Sequence, residues 1–429
     1  MSNARDENKD GFNYNPGKRP DSESIFSPSE EIGLMHFSTE NYSTALEYFK
    51  KAASSSDVKE YPDRFRLSLR ISDCHRKKGD YREARRYLEK ARAALQEMPA
   101  AEDLGKIEYR EAFILLDQGY YDEALKIGFS AYRRLKHSDE HSEVADIQIL
   151  LANCYHRLGL AGEAEEFFMD ALSSYRRIED KVGTAYVYNN LGLLHKNACR
   201  WQRAIASLSK SLEIANDLGL TQHLIRVHLN LGIVYGKLRR FSEALSSFAT
   251  ASNMAERFGD NFKLTKAILM EGRTYVQCGE VKKAEKFIVR GQVMANDAGY
   301  GRESALADEY LGELMIARGR YHEALVNLNN GLRKARKIAP EGDVTAEILR
   351  RLADVHYQLS NYQKALAYIE EGLEVASNCG EYYEMGFFLR TRSLCLARTG
   401  SLDEAIEAMR TSVEMFDRYS NVYEKARSE

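Results

Sequence analysis

From Tyr186 to Ala215 apolar residues recur three and four positions apart, stop for a few residues, and then resume. Leu191, Gly192 and His195 fall on one face of a first helix, and Ala204, Leu208 and Ser211 on one face of a second. A four-residue step stacks side chains on the same side of a helix, so this stretch predicts two amphipathic helices joined by a tight turn. Gly192 and Ala204 are small where bulk would ordinarily be preferred, which predicts a close crossing of the two helices. Trp201 is the aromatic expected to plug the turn.

The same hairpin recurs along the chain. Residues equivalent to Ala204 are Ala45, Ala84, Ala124, Ala164, Ala244, Ala284, Ala324, Ala365 and Ala405, about 40 residues apart at every step. Twelve positions before the alanine lies a small residue, as in Gly33, Ser72, Ala112, Gly192, Gly232, Gly272, Gly312 and Ser393. Five before it comes a turn, marked by Gly79, Gly119, Gly159, Gly279, Gly319 and Gly400. Seven after it is a second small residue, such as Ala52, Ala131, Ser211, Gly291, Gly372 or Ser412. A fixed period in this range signals a solenoid, in which each unit buries its apolar face only against its neighbours.

With Leu231-Gly232, Tyr235, Ala244, Phe248 and Ala251 in one copy, the pattern resembles the tetratricopeptide repeat over about residues 28–412. The family's usual period is shorter, and the proline that commonly closes its repeat is missing from nearly every copy here. Gly219, Gly259, Gly299 and Gly380 follow the second helices instead, and glycine there predicts a left-handed cap ending a helix about a turn longer than usual. The resemblance narrows to the long-repeat arrays of Pins-type scaffolds, kinesin light chains and bacterial regulators. It implies an all-α fold, a right-handed α-solenoid of about ten helical hairpins.

Three segments are expected. Residues 1–27 are polar, charged and interrupted by Pro16 and Pro20, too poor in apolar groups to order themselves; they suit a solvated leader or a docking segment. Ser27 is placed to cap the first helix, with Glu30 as its capping-box partner. Residues 28–412 form the repeat array, expected to be one elongated domain with its least regular copy at Gly128. Residues 413–429 keep helical periodicity and suit either a polar cap for the array or a helix leading to a further domain.

The remaining chemistry points away from catalysis. No phosphate-binding glycine loop or nucleophile elbow is present. His137-Ser138-Asp139-Glu140-His141 has the order of one class of zinc peptidase, but it falls in a polar linker between hairpins. His36, His75, His195 and His356 occupy a position the family fills with an aromatic, so they are expected to pack as ring substitutes. No metal or other cofactor is expected. The six cysteines form no CxxC pair, as expected of a reduced, cytoplasmic chain. Net charge is -3 with both signs mixed, which gives no argument for nucleic acid or membrane.

What is left is surface. The resemblance implies that the first helix of each pair lines a concave groove. The residues there are Asn153, Asn189, Asn190, Lys196, Arg226, Asn230, Lys266, Arg273, Arg350 and Arg351, with Arg66 and Arg70 in the early copies. Glu309, Glu313, Glu347 and Asp354 interrupt the stripe. Amides can hold the main chain of an extended peptide, and cations can meet its carboxylates. The expected function is a non-enzymatic scaffold binding a protein or peptide segment of acidic character. The alternative is the sensory module of a bacterial signalling or transcription regulator whose output domain lies elsewhere. The sequence leaves the oligomeric state open.

Overall fold

The structure is a computed structural model describing residues 26–55, 61–95, 100–138, 141–419 and 422–429. Among these residues there are 21 helices and no strand. The chain divides into two compact units, residues 1–154 and 155–429.

The first unit holds hairpins α1/α2 (Pro28–Ser38, Tyr42–Ala53), α3/α4 (Asp63–Lys77, Tyr81–Ala94) and α5/α6 (Ala101–Asp117, Tyr121–Leu135). The division falls within α7 (His141–Arg157), and α8 (Ala161–Arg177) opens the second unit, where it packs on the helix that follows it. Six hairpins follow in the second unit: α9/α10 (Lys181–Asn197, Trp201–Asp217), α11/α12 (Thr221–Lys237, Phe241–Phe258), α13/α14 (Asn261–Gln277, Val281–Asp297), α15/α16 (Gly301–Ala317, Tyr321–Ile338), α17/α18 (Asp343–Gln358, Tyr362–Asn378) and α19/α20 (Tyr382–Thr399, Leu402–Arg418). A short α21 (Val422–Ser428) closes the chain. The segment from 413 is therefore the end of α20 plus a separate short helix, not one helix. The predicted leader lies almost wholly outside the described residues, as do Asp139 and Glu140 of the metal-like string.

The repeated small residues show what they are for. A Cβ built on Gly192 would stand 2.5 Å from Leu208, and one on Gly232 would stand 2.5 Å from Phe248. Gly33 with Phe49, Gly272 with Ile288 and Gly312 with Leu328 repeat this geometry at 2.6 Å. So the small residue of the first helix receives the large residue four positions past the alanine, and the crossing is tight because a side chain fills the missing Cβ. Serines at these positions use their hydroxyl on the partner helix. Ser72 Oγ donates to the carbonyl of Ala84 at 2.9 Å and Ser393 Oγ to that of Ala405 at 2.6 Å. Ser211 Oγ donates to Ala185 O at 2.8 Å and Ser412 Oγ to Gly386 O at 2.7 Å. Each buried hydroxyl is satisfied by the backbone it touches.

The turns are set by backbone conformation. The glycines predicted to mark turns and caps all have positive φ, from 64° at Gly219 to 93° at Gly400. Where the turn lacks glycine the conformation persists: Glu40, Cys199, Arg239 and Ser360 have φ between 54° and 59°. Three of the four histidines pack as rings. His36, His75 and His356 stack on Tyr48, Tyr87 and Tyr368 at 5.5–5.7 Å.

Ser27 does cap α1, accepting the Glu30 N–H at 3.2 Å. The Glu30 side chain, however, goes elsewhere. Arg66 Nε and Nη2 donate to its two oxygens at 2.9 and 3.1 Å, and Arg70 Nε lies 3.0 Å away. Two buried-side arginines outcompete one backbone amide for a carboxylate, and those arginines are thereby engaged in holding α1 to α3.

Glu271 on α13 is buried beside Gly272. Burial pushes its carboxyl up to about 7 from an ordinary 4.5. An acid with a raised folded value loses stability as pH rises from its unfolded value through its folded one. Glu271→Gln is therefore expected to stabilise the protein by about 1–2 kcal/mol at pH 8, allowing for partial solvation, and by nothing at pH 4. Chemical denaturation at the two pH values checks this; an equal gain at both would mean that packing, not charge, is responsible.

Candidate binding surface on the first helices

In the second unit the first helices of successive hairpins touch one another: α9 meets α11, α11 meets α13, and so on through α15, α17 and α19. They form the crowded side of the stack. Asn153 belongs to the first unit, half-buried on α7; the other nine candidates lie on this crowded side.

Asn189 and Asn230 are buried and joined. Asn230 Nδ2 donates to Asn189 Oδ1 at 2.9 Å, and Asn189 Nδ2 to Asn190 Oδ1 at 3.4 Å. The three amides thus make a ladder across α9 and α11, with half-buried Asn190 at its open end. Arg226 lies with its guanidinium 5.5 Å from the centre of the Tyr186 ring.

Three of the cations are built into the fold. Arg273 reaches Glu347 at 3.2 Å, Glu313 at 3.5 Å and Glu309 at 3.9 Å, with its guanidinium over the Tyr310 ring. Arg351 donates to Glu313 at 2.6 Å. Arg350 donates from Nε to Glu384 at 2.6 Å, reaches Asp354 at 3.6 Å and covers the Phe387 ring. Burial opposes charge on Glu313, but Arg351 and Arg273 outweigh it and hold its carboxyl below the usual range. Glu309 is fully buried with no hydrogen bond to either oxygen, and burial, then Glu347, push its carboxyl up. These carboxylates interrupt the predicted basic stripe and largely neutralise it.

Lys196 and Lys266 differ from them. Both are half-buried, and neither ammonium makes an ion pair or hydrogen bond among the described residues. Burial lowers the pKa of each; Glu381 opposes this at Lys196, and Arg302 adds to it at Lys266.

Sequence reasoning missed Lys237, Glu381 and Glu384. Lys237 ends α11 and reaches Glu384 on α19 at 3.2 Å. Burial opposes charge on Glu384, but Arg350 and Lys237 outweigh it and hold its carboxyl far below the usual range. Nothing in a 40-residue period announces such a contact, because it joins hairpins four repeats apart.

Comparison with known proteins agrees with the repeat geometry. The tetratricopeptide repeat model matches residues 24–97, 183–257 and 303–378, and related models of the same repeat match 145–177 and 350–420. The 43 kDa receptor-associated protein of the synapse of Tetronarce californica is 22% identical over 274 residues, 63% of this chain and 66% of that protein. Kinesin light chain-related protein 3 of Arabidopsis thaliana is 22% identical over 330 residues, 74% of this chain and 50% of that one. The chain thus spans about half to two-thirds of the length of these curated relatives. In fold it is similar to a Rap protein solved with competence and sporulation factor, at a TM-score of 0.61 and 16% identity over 82% of this chain and 98% of that one. It is also similar to the apo quorum sensor NprR of B. thuringiensis, at a TM-score of 0.62 and 13% identity over 81% and 97%. With the period, the small-residue crossings and more than half the sequence matched, the chain belongs to the tetratricopeptide repeat family.

Proposed function

We propose that the chain is a protein-interaction module that binds an extended, acidic segment of a partner protein or peptide on the first helices of its second unit, in the cytoplasm and without catalysis. The observation that carries this reading is the pair Lys196 and Lys266, half-buried ammonium groups with no ion pair among the described residues, on the same row of first helices as the amide ladder of Asn189, Asn190 and Asn230. A desolvated cation with no partner is costly; a ligand carboxylate would offset that cost, and the open end of the ladder would hold its main chain.

The test is titration against arrayed extended peptides of matched length, acidic and basic. Lys196→Ala and Lys266→Ala are each expected to weaken acidic peptides about tenfold, or 1.4 kcal/mol, and Asn190→Ala less. The outer-face control Lys282→Glu/Lys283→Glu, on exposed residues of α14, should change nothing. Affinity should fall with salt, and also as pH rises through the lowered lysine values, since the ammonium form does the binding. Loss of binding in the control with none in the lysine variants would move the site to the outer face.

A second reading, as the sensory part of a regulator, is favoured by the likeness of fold to the Rap protein solved with competence and sporulation factor. Under that reading the acidic segment is a signalling peptide, and binding must change a second activity encoded elsewhere.

A further inference from the structure

Each hairpin of a solenoid ordinarily touches only its neighbours. The second unit breaks that rule. Trp201, the first residue of α10, meets the Tyr383 ring of α19 edge-on at 5.9 Å, and its Nε1 donates to the carbonyl of Tyr419 at 3.2 Å. Tyr383 and Phe387 pack into one apolar cluster with Trp201, Leu208, Val227 and Leu231. Lys237 lies 3.2 Å from Glu384 and 4.5 Å from the centre of the Tyr383 ring. The tenth hairpin thereby reaches the fifth and sixth across the side that carries the candidate surface.

We infer that α19, α20 and α21 form a detachable clasp over the inner surface, in which Glu384 occupies Lys237 as a ligand carboxylate would. This rests on the binding proposed for that surface and names its regulation. Three observations support a clasp over a permanent seam. The contact is local: among the described residues it gathers on Trp201 and Lys237, which meet Tyr383, Phe387, Glu384 and Tyr419. By contrast, α19 meets α17, α18 and α20 along their lengths. Opening also leaves no orphaned buried charge on the clasp side, because Glu384 keeps Arg350 at 2.6 Å. On the other side, Lys237 is the last residue of α11, where an ammonium can return to water. An acidic ligand entering beside Lys196 would compete with Glu384 for Lys237, so ligand binding and clasp closure oppose each other.

The chain supplies its own probe, since Trp201 is its single tryptophan and Tyr383, Phe387 and Tyr419 supply part of its shield. The experiment measures acrylamide quenching and emission of Trp201 in the full chain, with helix content followed by far-ultraviolet circular dichroism. The variants are Lys237→Glu, which sets like charge against Glu384, and Tyr383→Ala, which removes the ring. Both are expected to raise quenching several-fold and shift emission to the red with helix content unchanged. Decaglutamate should bind Tyr383→Ala about tenfold more tightly than the parent if the closed state is about ten times the more populated. Trp201 as shielded in both variants as in the parent would overturn the clasp. Trp201 exposed with equal decaglutamate affinity in parent and Tyr383→Ala would overturn its gating of the surface. Trp201 exposed with no decaglutamate binding by any form would support the clasp and sink the proposed acidic ligand.

Discussion

Cutting Phe248 back to alanine will destabilise the second unit by about 3–5 kcal/mol, as for other fully buried aromatics. The ring is 2% exposed and fills the space left by the missing Cβ of Gly232, with Ile225, Leu229, Leu264 and Ile268 around it. Gly232→Ala alone will also destabilise, by about 1–3 kcal/mol, because its methyl would stand 2.5 Å from that ring. Made together, the two changes will cost less than their sum, since the second methyl enters the void made by the first. Denaturation of the four proteins gives the coupling. Additive costs would show that Phe248 does not fill the space over Gly232. Amide exchange should rise first in the hairpins on either side of Phe248, as nearest-neighbour coupling requires.

Arg273→Met will destabilise by about 3–5 kcal/mol near neutral pH, because it removes the cation shared by Glu309, Glu313 and Glu347, of which Glu313 keeps Arg351. The deficit has a sign in pH. Without Arg273 the Glu309 carboxyl, already pushed up by burial and Glu347, is pushed further up, so the variant loses most where that group would ionise and recovers as falling pH protonates it. Lys266→Met should behave oppositely, costing nothing or slightly stabilising, since its ammonium is desolvated and has no ion pair among the described residues. Thermal melts from pH 4.5 to pH 8 separate the two. A stable Arg273→Met that has lost acidic peptides would return Arg273 to the binding surface from which its ion pairs remove it.

These two sites show what was legible in the chain before any coordinates. The crossing of Gly232 with its neighbour helix was readable because it recurs in register: ten alanines and their small partners mark the same local geometry each time. Its detail was readable only in part: the small residue does meet the backbone of the alanine, as Gly192 meets Ala204, but the side chain nearest Gly232 is Phe248. Periodicity gives a face and leaves open which side chain on that face is nearest. The turn conformation was readable at Gly79 or Gly259 and invisible at Glu40, Cys199, Arg239 and Ser360, where neighbouring helices impose left-handed backbone on residues that do not favour it. The surface was only half legible. Position on the repeat placed Arg273, Arg350 and Lys266 on the first helices, but not their partners, which lie on other first helices and decide whether each cation is structural or available. The contacts of Trp201 and Lys237 with α19 could not be read at all, because repeats four or more apart meet through curvature, a property of the whole stack and of no one copy.

The link from Trp201 to Tyr419 and from Lys237 to Glu384 also changes how this protein would wear out. In an open stack each hairpin is held only by its neighbours, so a hairpin that parts from them locally offers a protease its cut. Here the tenth hairpin is tied back to the fifth and sixth, so its local opening must first break an indole contact and an ion pair. Lifetime in the presence of proteases would then follow the state of that tie, with shut molecules persisting and opened ones trimmed from α20 inward.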